Sequence, residues 1–264
     1  MKWIINILLL AVILVPFQGV SAAQTLVTGT ADWKPWQIVE KGQLTGITPE
    51  ILQELSRRTG YQMDVKILPQ RRLMREFELQ QIDMEPAVSP SWREEQHDIS
   101  VYTIPYYETS DVILVGKESG IAGTAAKDFK GRSLGCGLGY YYPEGFQAAF
   151  ESGMIIRDDN PVSEFNILKL AQERLDGIIV DRIQAGYMAK VLNLNAEDFK
   201  IAYVFRPSKL SLRLHKNKQD LLPILDKALE SMKADGTIER IVTKYLQKLY
   251  RSYGRAGVMF NRHG

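Results

Sequence analysis

Cysteine is almost missing from this 264-residue chain, in which Cys136 is the only one. No internal disulfide can form, so the fold must be stabilised by its hydrophobic core. The hydrophobic fraction of 45% is ordinary for a globular protein. Cys136 lies in an apolar, glycine-rich stretch, which favours a small buried residue over a reactive thiol.

An excess of charge of either sign is also missing: 33 Lys and Arg face 31 Asp and Glu, and both kinds are interspersed. Nucleic acid is therefore not an expected partner, because binding to phosphates needs a basic surface. The three histidines lie far apart and lack metal-ligand spacing, so we expect no metal site. No nucleophile elbow or phosphate loop is present, and the glycines at 135, 137 and 139 lack the rest of a dinucleotide fingerprint. The sequence thus predicts neither a catalytic site nor a cofactor.

Long apolar runs are confined to the N-terminus. Met1 and Lys2 precede an apolar run over residues 4–15, and small residues follow at 20–23. This pattern predicts a signal peptide over residues 1–22. The alternative, a membrane anchor, is disfavoured because a spanning helix needs roughly 20 apolar residues. No cysteine follows the run, so we expect a periplasmic protein without a lipid anchor.

Strand-like and helix-like segments alternate along the rest of the chain. Apolar or alternating runs predict strands over residues 26–28, 63–67, 112–115, 133–137, 177–180, 201–205 and 210–214. Amphipathic runs predict helices over residues 48–59, 71–80, 144–151, 163–173, 184–192, 221–234 and 238–249. Thr48 is placed to cap the first helix and Gly60 to end it. Such alternation predicts an α/β fold with parallel or mixed sheets covered by helices.

Ligands of such sheets bind beyond the carboxyl ends of the strands. Trp33 and Trp36 follow the first predicted strand, where an aromatic pair can form a pocket wall or serve as ordinary packing. Arg93 is suited to grip a carboxylate with two hydrogen bonds, and Ser91 beside it can add a donor, but a lone arginine is often a solvated surface residue. Asp181 ends an apolar strand before a helix, so it can hold an ammonium group or cap that helix.

Three ordered stretches together resemble the type II periplasmic binding proteins of polar amino-acid ABC transporters, the bacterial extracellular solute-binding proteins of family 3. The first comprises Trp33-Lys-Pro-Trp36, Leu44-Thr-Gly-Ile47, Arg93, Ile99-Ser100 and Pro105-Tyr-Tyr107. The second runs from Leu175-Asp-Gly177 to Asp181. The third runs from Ala228-Leu229 through Ala234-Asp-Gly-Thr237 to Lys244-Tyr-Leu246. The resemblance covers nearly the whole chain after the predicted signal peptide.

The resemblance implies a two-lobed, type II periplasmic binding protein-like fold whose lobes are joined by two crossover hinge strands. Lobe 1 would hold residues 24–112 and 207–250, lobe 2 would hold residues 113–206, and residues 251–264 would form a loose tail. It further implies that Arg93 grips the α-carboxylate of the ligand from lobe 1, that Asp181 grips the α-ammonium from lobe 2, and that a ring at Trp33 or Trp36 covers the ligand.

Two features depart from the family pattern. Where family members carry Gly-Thr or Gly-Ser in lobe 2, this chain has Gly139 followed by Tyr140, so backbone N–H groups would have to replace the hydroxyl. Glu85 stands where the family often has small polar residues, and it either faces a cationic group or points to water.

The resemblance implies a protein that captures a small zwitterionic ligand, an amino acid, for an ABC permease in the inner membrane. Two alternatives remain open at this stage. One is a sensory module that presents its ligand to a receptor. The other is a dehydratase on the same fold, in which Glu85 would be the general acid.

Overall fold

The computed structural model describes residues 24–253, with side chains described for residues 24–245. The predicted signal peptide lies outside the described residues, and so does most of the predicted tail. Strands in this part of the chain are β1 (Thr25–Thr30), β2 (Ile38–Glu40), β3 (Gln43–Thr45), β4 (Gln62–Ile67), β5 (Met84–Val88), β6 (Ser100–Tyr102), β7 (Tyr107–Thr109), β8 (Asp111–Gly116), β9 (Ser133–Gly137), β10 (Ile156–Asn160), β11 (Gly177–Asp181), β12 (Phe199–Val204) and β13 (Ser208–His215). Helices are α1 (Ile47–Thr59), α2 (Gln70–Glu78), α3 (Phe146–Glu151), α4 (Ser163–Ala171), α5 (Arg182–Val191), α6 (Leu222–Ala234) and α7 (Thr237–Tyr253).

Eleven of these strands form two separate mixed sheets, and β2 and β3 pair with each other apart from both, which confirms the α/β prediction. The first sheet has the order β4-β1-β5-β13-β6, with β7 paired to β13. The second has the order β10-β9-β11-β8-β12. We call the part of the molecule built on the first sheet lobe 1 and the part built on the second sheet lobe 2.

The chain passes between the lobes twice. It leaves the first sheet after β7 and enters the second at β8, and it returns between β12 and β13. The two crossings lie side by side, since the N–H of Phe205 donates to the carbonyl of Asp111 at 3.0 Å. The residue boundaries predicted for the lobes, at 112 and 206, stay predictions, although the sheet pairing already changes before Asp111.

Helix α1 shows how local sequence sets an element in this fold. Ile51, Leu52 and Leu55 are buried on one face and join the lobe 1 core. Gly46 precedes the helix at φ 121°, and a Cβ there would lie 2.6 Å from the carbonyl oxygen of Trp36. The prediction that Thr48 caps this helix is wrong: the helix begins at Ile47, and the Thr48 hydroxyl accepts a hydrogen bond from the Gln37 amide at 2.9 Å.

Each lobe has its own hydrophobic core on its sheet. Cys136 is fully buried in lobe 2, where burial raises the pKa of its thiol to about 12, so the prediction of a small core residue is confirmed. Helix α7 extends to Tyr253, three residues into the predicted tail. No helix among residues 24–253 is long and apolar enough to span a membrane.

Candidate ligand-binding cleft

A cavity of about 100 Å³ lies between the two lobes. Lobe 1 lines it with residues at the ends of β1 and β5, and lobe 2 lines it with residues at the ends of β9 and β11. β1 and β5 run parallel, as do β9 and β11, so their carboxyl ends meet at this edge as expected for a ligand site. Of the predicted site residues, the cavity is lined by Trp33, Glu85, Arg93, Gly139, Tyr140 and Asp181.

Trp33 and Trp36 take different positions although both follow β1. Trp33 lines the cavity, and its ring stacks on that of Trp36 with centroids 5.3 Å apart. Trp36 is fully buried behind it in the lobe 1 core. Its indole N–H donates to the carboxylate of Asp181 at 3.3 Å, which joins lobe 1 to lobe 2.

Arg93 lies in an ion pair inside lobe 1. Its Nη2 and Nε donate to the two carboxylate oxygens of Glu85 at 2.5 and 3.2 Å. Glu85 also accepts from Arg213 at 2.9 Å. Arg213 is fully buried, with its guanidinium 3.7 Å from the ring centre of Phe77 and donating to Ser100 and Gln96.

The electrostatics of this trio follow from burial and pairing. Burial alone would raise the pKa of Glu85, but the guanidinium groups of Arg93 and Arg213 outweigh it and hold that pKa below its ordinary value. The pKa of Arg93 is raised, because the charge of Glu85 outweighs the burial of the guanidinium. Both surface alternatives are therefore wrong: the Arg93 side chain is 12% exposed and that of Glu85 is 4% exposed. Glu85 faces cations, but these belong to the protein.

Asp181 caps a helix at the edge of the cavity. It lies at the end of β11, is 2% exposed, and accepts the backbone N–H of Gln184 at 2.9 Å as the cap of α5. Thr109 and Trp36 also donate to it. Burial raises its pKa although these three hydrogen bonds and one from the backbone of Ile183 act in the opposite direction. Helix capping is thus confirmed, and a role in binding an ammonium group stays a prediction.

The loop after β9 forms the lobe 2 side of the cavity with aromatic rings. Gly139 adopts φ 82°, a left-handed conformation that suits glycine. The hydroxyl of Tyr142 accepts the N–H of Gly137 at 2.8 Å, and Arg157 donates to the carbonyl of Tyr140 at 2.8 Å. These two hydrogen bonds stabilise the loop, and Tyr140 and Tyr141 line the cavity.

Comparison with known proteins identifies the family. Residues 26–248 match the model of the bacterial extracellular solute-binding proteins, family 3. The chain belongs to this family.

Individual relatives agree with that assignment. The chain is 26% identical over 228 residues to the arginine-binding extracellular protein ArtP of Bacillus subtilis, covering 85% of this chain and 87% of the relative. It is 28% identical over 211 residues to the L-cystine-binding protein TcyJ of Escherichia coli, covering 78% and 76%. Among solved structures, an ancestral arginine-binding protein bound to arginine superposes with a TM-score of 0.70 at 21% identity, covering 84% of this chain and 97% of that one. The two-lobed type II fold is thereby confirmed, and the chain is a solute-binding protein rather than an enzyme.

The remaining predicted residue, Ser91, lies outside the cavity lining in this family member. It is exposed, and its hydroxyl is 3.0 Å from that of the buried Ser89. A direct contact of Ser91 with ligand stays a prediction.

Sequence reasoning missed several polar residues of the cleft, of which three bear on its charge and hydrogen bonding. Asp111 and Gln70 line the cavity directly, and Arg213 lies behind Glu85. Asp111 and Arg213 belong to strands that run antiparallel to their neighbours, so a search beyond the carboxyl ends of strands does not reach them. The one available signal was a charged residue next to an apolar strand, as in Asp111-Val-Ile-Leu-Val115 and Leu212-Arg-Leu214.

Proposed function

We propose that this solute-binding protein captures an amino acid in the cleft between its lobes and delivers it to an ABC permease in the inner membrane. The proposal places the protein in the periplasm, after cleavage of the signal peptide. One observation carries it: a guanidinium of lobe 1 and a carboxylate of lobe 2, at Arg93 and Asp181, line the same cavity. The names of the relatives, which refer to arginine and cystine, support an amino acid as ligand.

Arg93 keeps donors for a ligand carboxylate in spite of its ion pair. A guanidinium has five N–H groups. Three of them are used, two toward Glu85 and one toward the carbonyl of Trp92, so two remain. A carboxylate that accepts them would lie beside Trp33, whose ring lines the same wall.

Asp181 would provide the negative charge for an ammonium group. Trp36, Thr109 and the backbone N–H groups of Gln184 and Ile183 already lie around this carboxylate, so a ligand ammonium would pair with its charge beside these donors. Because the two binding groups belong to different lobes, a zwitterion that contacts both favours the closed arrangement over the open one. Closure would then present both lobes together to a permease.

Isothermal titration calorimetry against the twenty amino acids tests the proposal. We expect at least one to bind, and Arg93→Lys to weaken it about tenfold or more, since lysine cannot reproduce the planar fork. Arg57→Lys, at an exposed arginine on α1, is the matched control and should leave affinity unchanged. If no amino acid binds the unmodified protein, or if both variants bind equally well, the proposal is wrong.

A further inference from the structure

Asp111 is a carboxylate of the cleft that lacks a partner. It begins β8 in lobe 2 and lines the cavity, where it pairs in antiparallel register with Asp181. Among residues 24–245 its side chain accepts no hydrogen bond and forms no ion pair, whereas Glu85 and Asp181 each accept three. A carboxylate removed from water is costly unless it is paired.

The charges around the cavity leave this carboxylate uncompensated. When all three carboxylates are ionised, Glu85, Asp111 and Asp181 carry three negative charges, whereas Arg93 and Arg213, which lies behind Glu85, carry two positive ones. The difference is one negative charge. A zwitterion adds no net charge and leaves the imbalance, whereas a ligand with one additional cationic group removes it.

An unused donor lies on the other wall. The side-chain amide nitrogen of Gln70, at the start of α2 in lobe 1, is buried without a hydrogen-bond partner among the described residues. The cavity thus has unused donors on lobe 1, at Gln70 and Arg93, and an unused acceptor on lobe 2, at Asp111. This polarity suits a ligand with a carboxylate at one end and cationic nitrogen at the other.

We propose that Asp111 binds the cationic side chain of the ligand, so that this protein selects amino acids with a positively charged side chain. The inference rests on the proposed function, since it assumes an amino acid in this cleft. It assigns to Asp111 the choice among amino acids, while Arg93 and Asp181 bind the groups that all amino acids share.

The groups around Asp111 make its ionisation sensitive to a nearby cation. Burial and then the charge of Asp181 raise its pKa to about 7. The groups that face it are Asp181 on β11 and the hydroxyls of Tyr140 and Tyr142 on the loop after β9, with Glu85 and Arg93 across the cavity. A bound cation favours the ionised carboxylate, so binding a cationic side chain releases a proton when the pH is below about 7.

Two matched pairs of ligands provide the test. Arginine and citrulline differ in charge but little in shape, and norleucine is lysine without its terminal ammonium group. At pH 8 we expect the unmodified protein to prefer the cationic member of at least one pair by about tenfold or more, as for a hydrogen bond to a charged group. Asp111→Asn should reduce that preference to less than about threefold, mainly by weakening the cationic ligand. Glu108→Gln, at an exposed carboxylate nearby on β7, is the matched control and should keep the preference.

The pH dependence provides a second arm. Affinity for the cationic ligand should rise between pH 6 and pH 8 in the unmodified protein and in Glu108→Gln, and stay flat in Asp111→Asn. Equal weakening of both ligands by Asp111→Asn, or no weakening at all, overturns the role of Asp111. A preference of the unmodified protein for citrulline or norleucine overturns the charge selectivity while leaving the proposed function in place. Failure of every amino acid to bind instead overturns the proposed function. Thermal unfolding of each variant shows whether it is folded.

Discussion

The two walls of the cleft manage buried charge in opposite ways. On lobe 1, Glu85 lies between Arg93 and Arg213, so each carboxylate oxygen has a guanidinium partner. On lobe 2, Asp111 and Asp181 lie opposite each other, neither forms an ion pair among residues 24–245, and the pKa of each is raised, first of all by burial. Lobe 1 therefore contributes a wall whose charged groups are paired with one another, with one guanidinium in excess. Lobe 2 contributes a wall whose negative charge a cationic ligand group can neutralise.

Removing the charge of Glu85 is the most direct way to break this contrast. Glu85→Gln would leave Arg93 and Arg213 as two buried, uncompensated guanidinium groups. We expect a loss of about 3–5 kcal/mol in the free energy of unfolding, as for a buried ion pair that loses one partner. Chemical denaturation at pH 7 measures it.

Glu78→Gln is the control for this change, since Glu78 pairs with Arg75 at 2.9 Å but is 51% exposed. Its loss should stay below about 1 kcal/mol. Equal losses in the two variants would mean that the trio in lobe 1 is no more important than a surface pair.

Removing the charge of Asp111 should increase the free energy of unfolding, whereas removing that of Glu85 should decrease it. Its pKa of about 7 in the folded protein lies above the ordinary value of 3.8. The folded state is therefore penalised as Asp111 ionises: the penalty is absent below about pH 4, grows as pH rises, and is complete above about pH 7. We expect Asp111→Asn to stabilise the ligand-free protein by roughly 2 kcal/mol at pH 8, half of the limit set by the shift, because Asp111 is only partly buried.

The same substitution should change stability little at pH 4, so urea unfolding at both pH values measures the effect of the charge alone. If Asp111→Asn destabilises the protein equally at both pH values, Asp111 is a structural residue rather than an open binding position.

A substitution of Trp36 tests how much its hydrogen bond to Asp181 contributes to stability. Trp36→Phe removes the indole N–H that reaches Asp181 and leaves a ring in the core. We expect a loss of about 1–2 kcal/mol in the free energy of unfolding, the range for a buried hydrogen bond to a charged group plus a smaller ring. In the Asp181→Asn background the loss should be smaller, which a double-mutant cycle detects. A loss of the same size in both backgrounds would mean that Trp36 acts through packing alone.

How far the sequence predicts this molecule depends on the kind of strand. Parallel strands such as β1, β9 and β11 are short apolar runs followed by turn or helix signals. The rule that ligands bind beyond their carboxyl ends therefore placed Trp33, Gly139 and Asp181 at the cavity that they line. Antiparallel strands bring their amino ends to the same edge, and nothing in a local pattern distinguishes them. Asp111 was therefore missed, although the apolar run that follows it was correctly predicted as a strand.

Side-chain pairing was less predictable than position. The sequence located Glu85 and Arg93 at the cleft but could not show that they bind each other, because this depends on the approach of β13 and its Arg213 from 128 residues away. Thr48, in the first turn of α1, shows the same limit at a smaller scale. A hydroxyl suited to cap α1 instead accepts a hydrogen bond from Gln37, which only the tertiary fold brings near.

The smallest expected effect is on ligand affinity, through an ion pair that joins the two lobes. Lys34 of lobe 1 donates to Glu164 of lobe 2 at 2.6 Å, and both side chains are 17% exposed. Lys34→Met keeps the length of the side chain but removes this contact between lobes, so we expect ligand affinity to fall about two- to fivefold through a less stable closed form. Lys169→Met removes a comparable pair, with Asp158 at 2.7 Å, that lies entirely within lobe 2. Because that pair does not depend on closure, calorimetry should show unchanged affinity for it, and equal effects of the two variants would mean that the contact between lobes does not contribute to capture of the ligand.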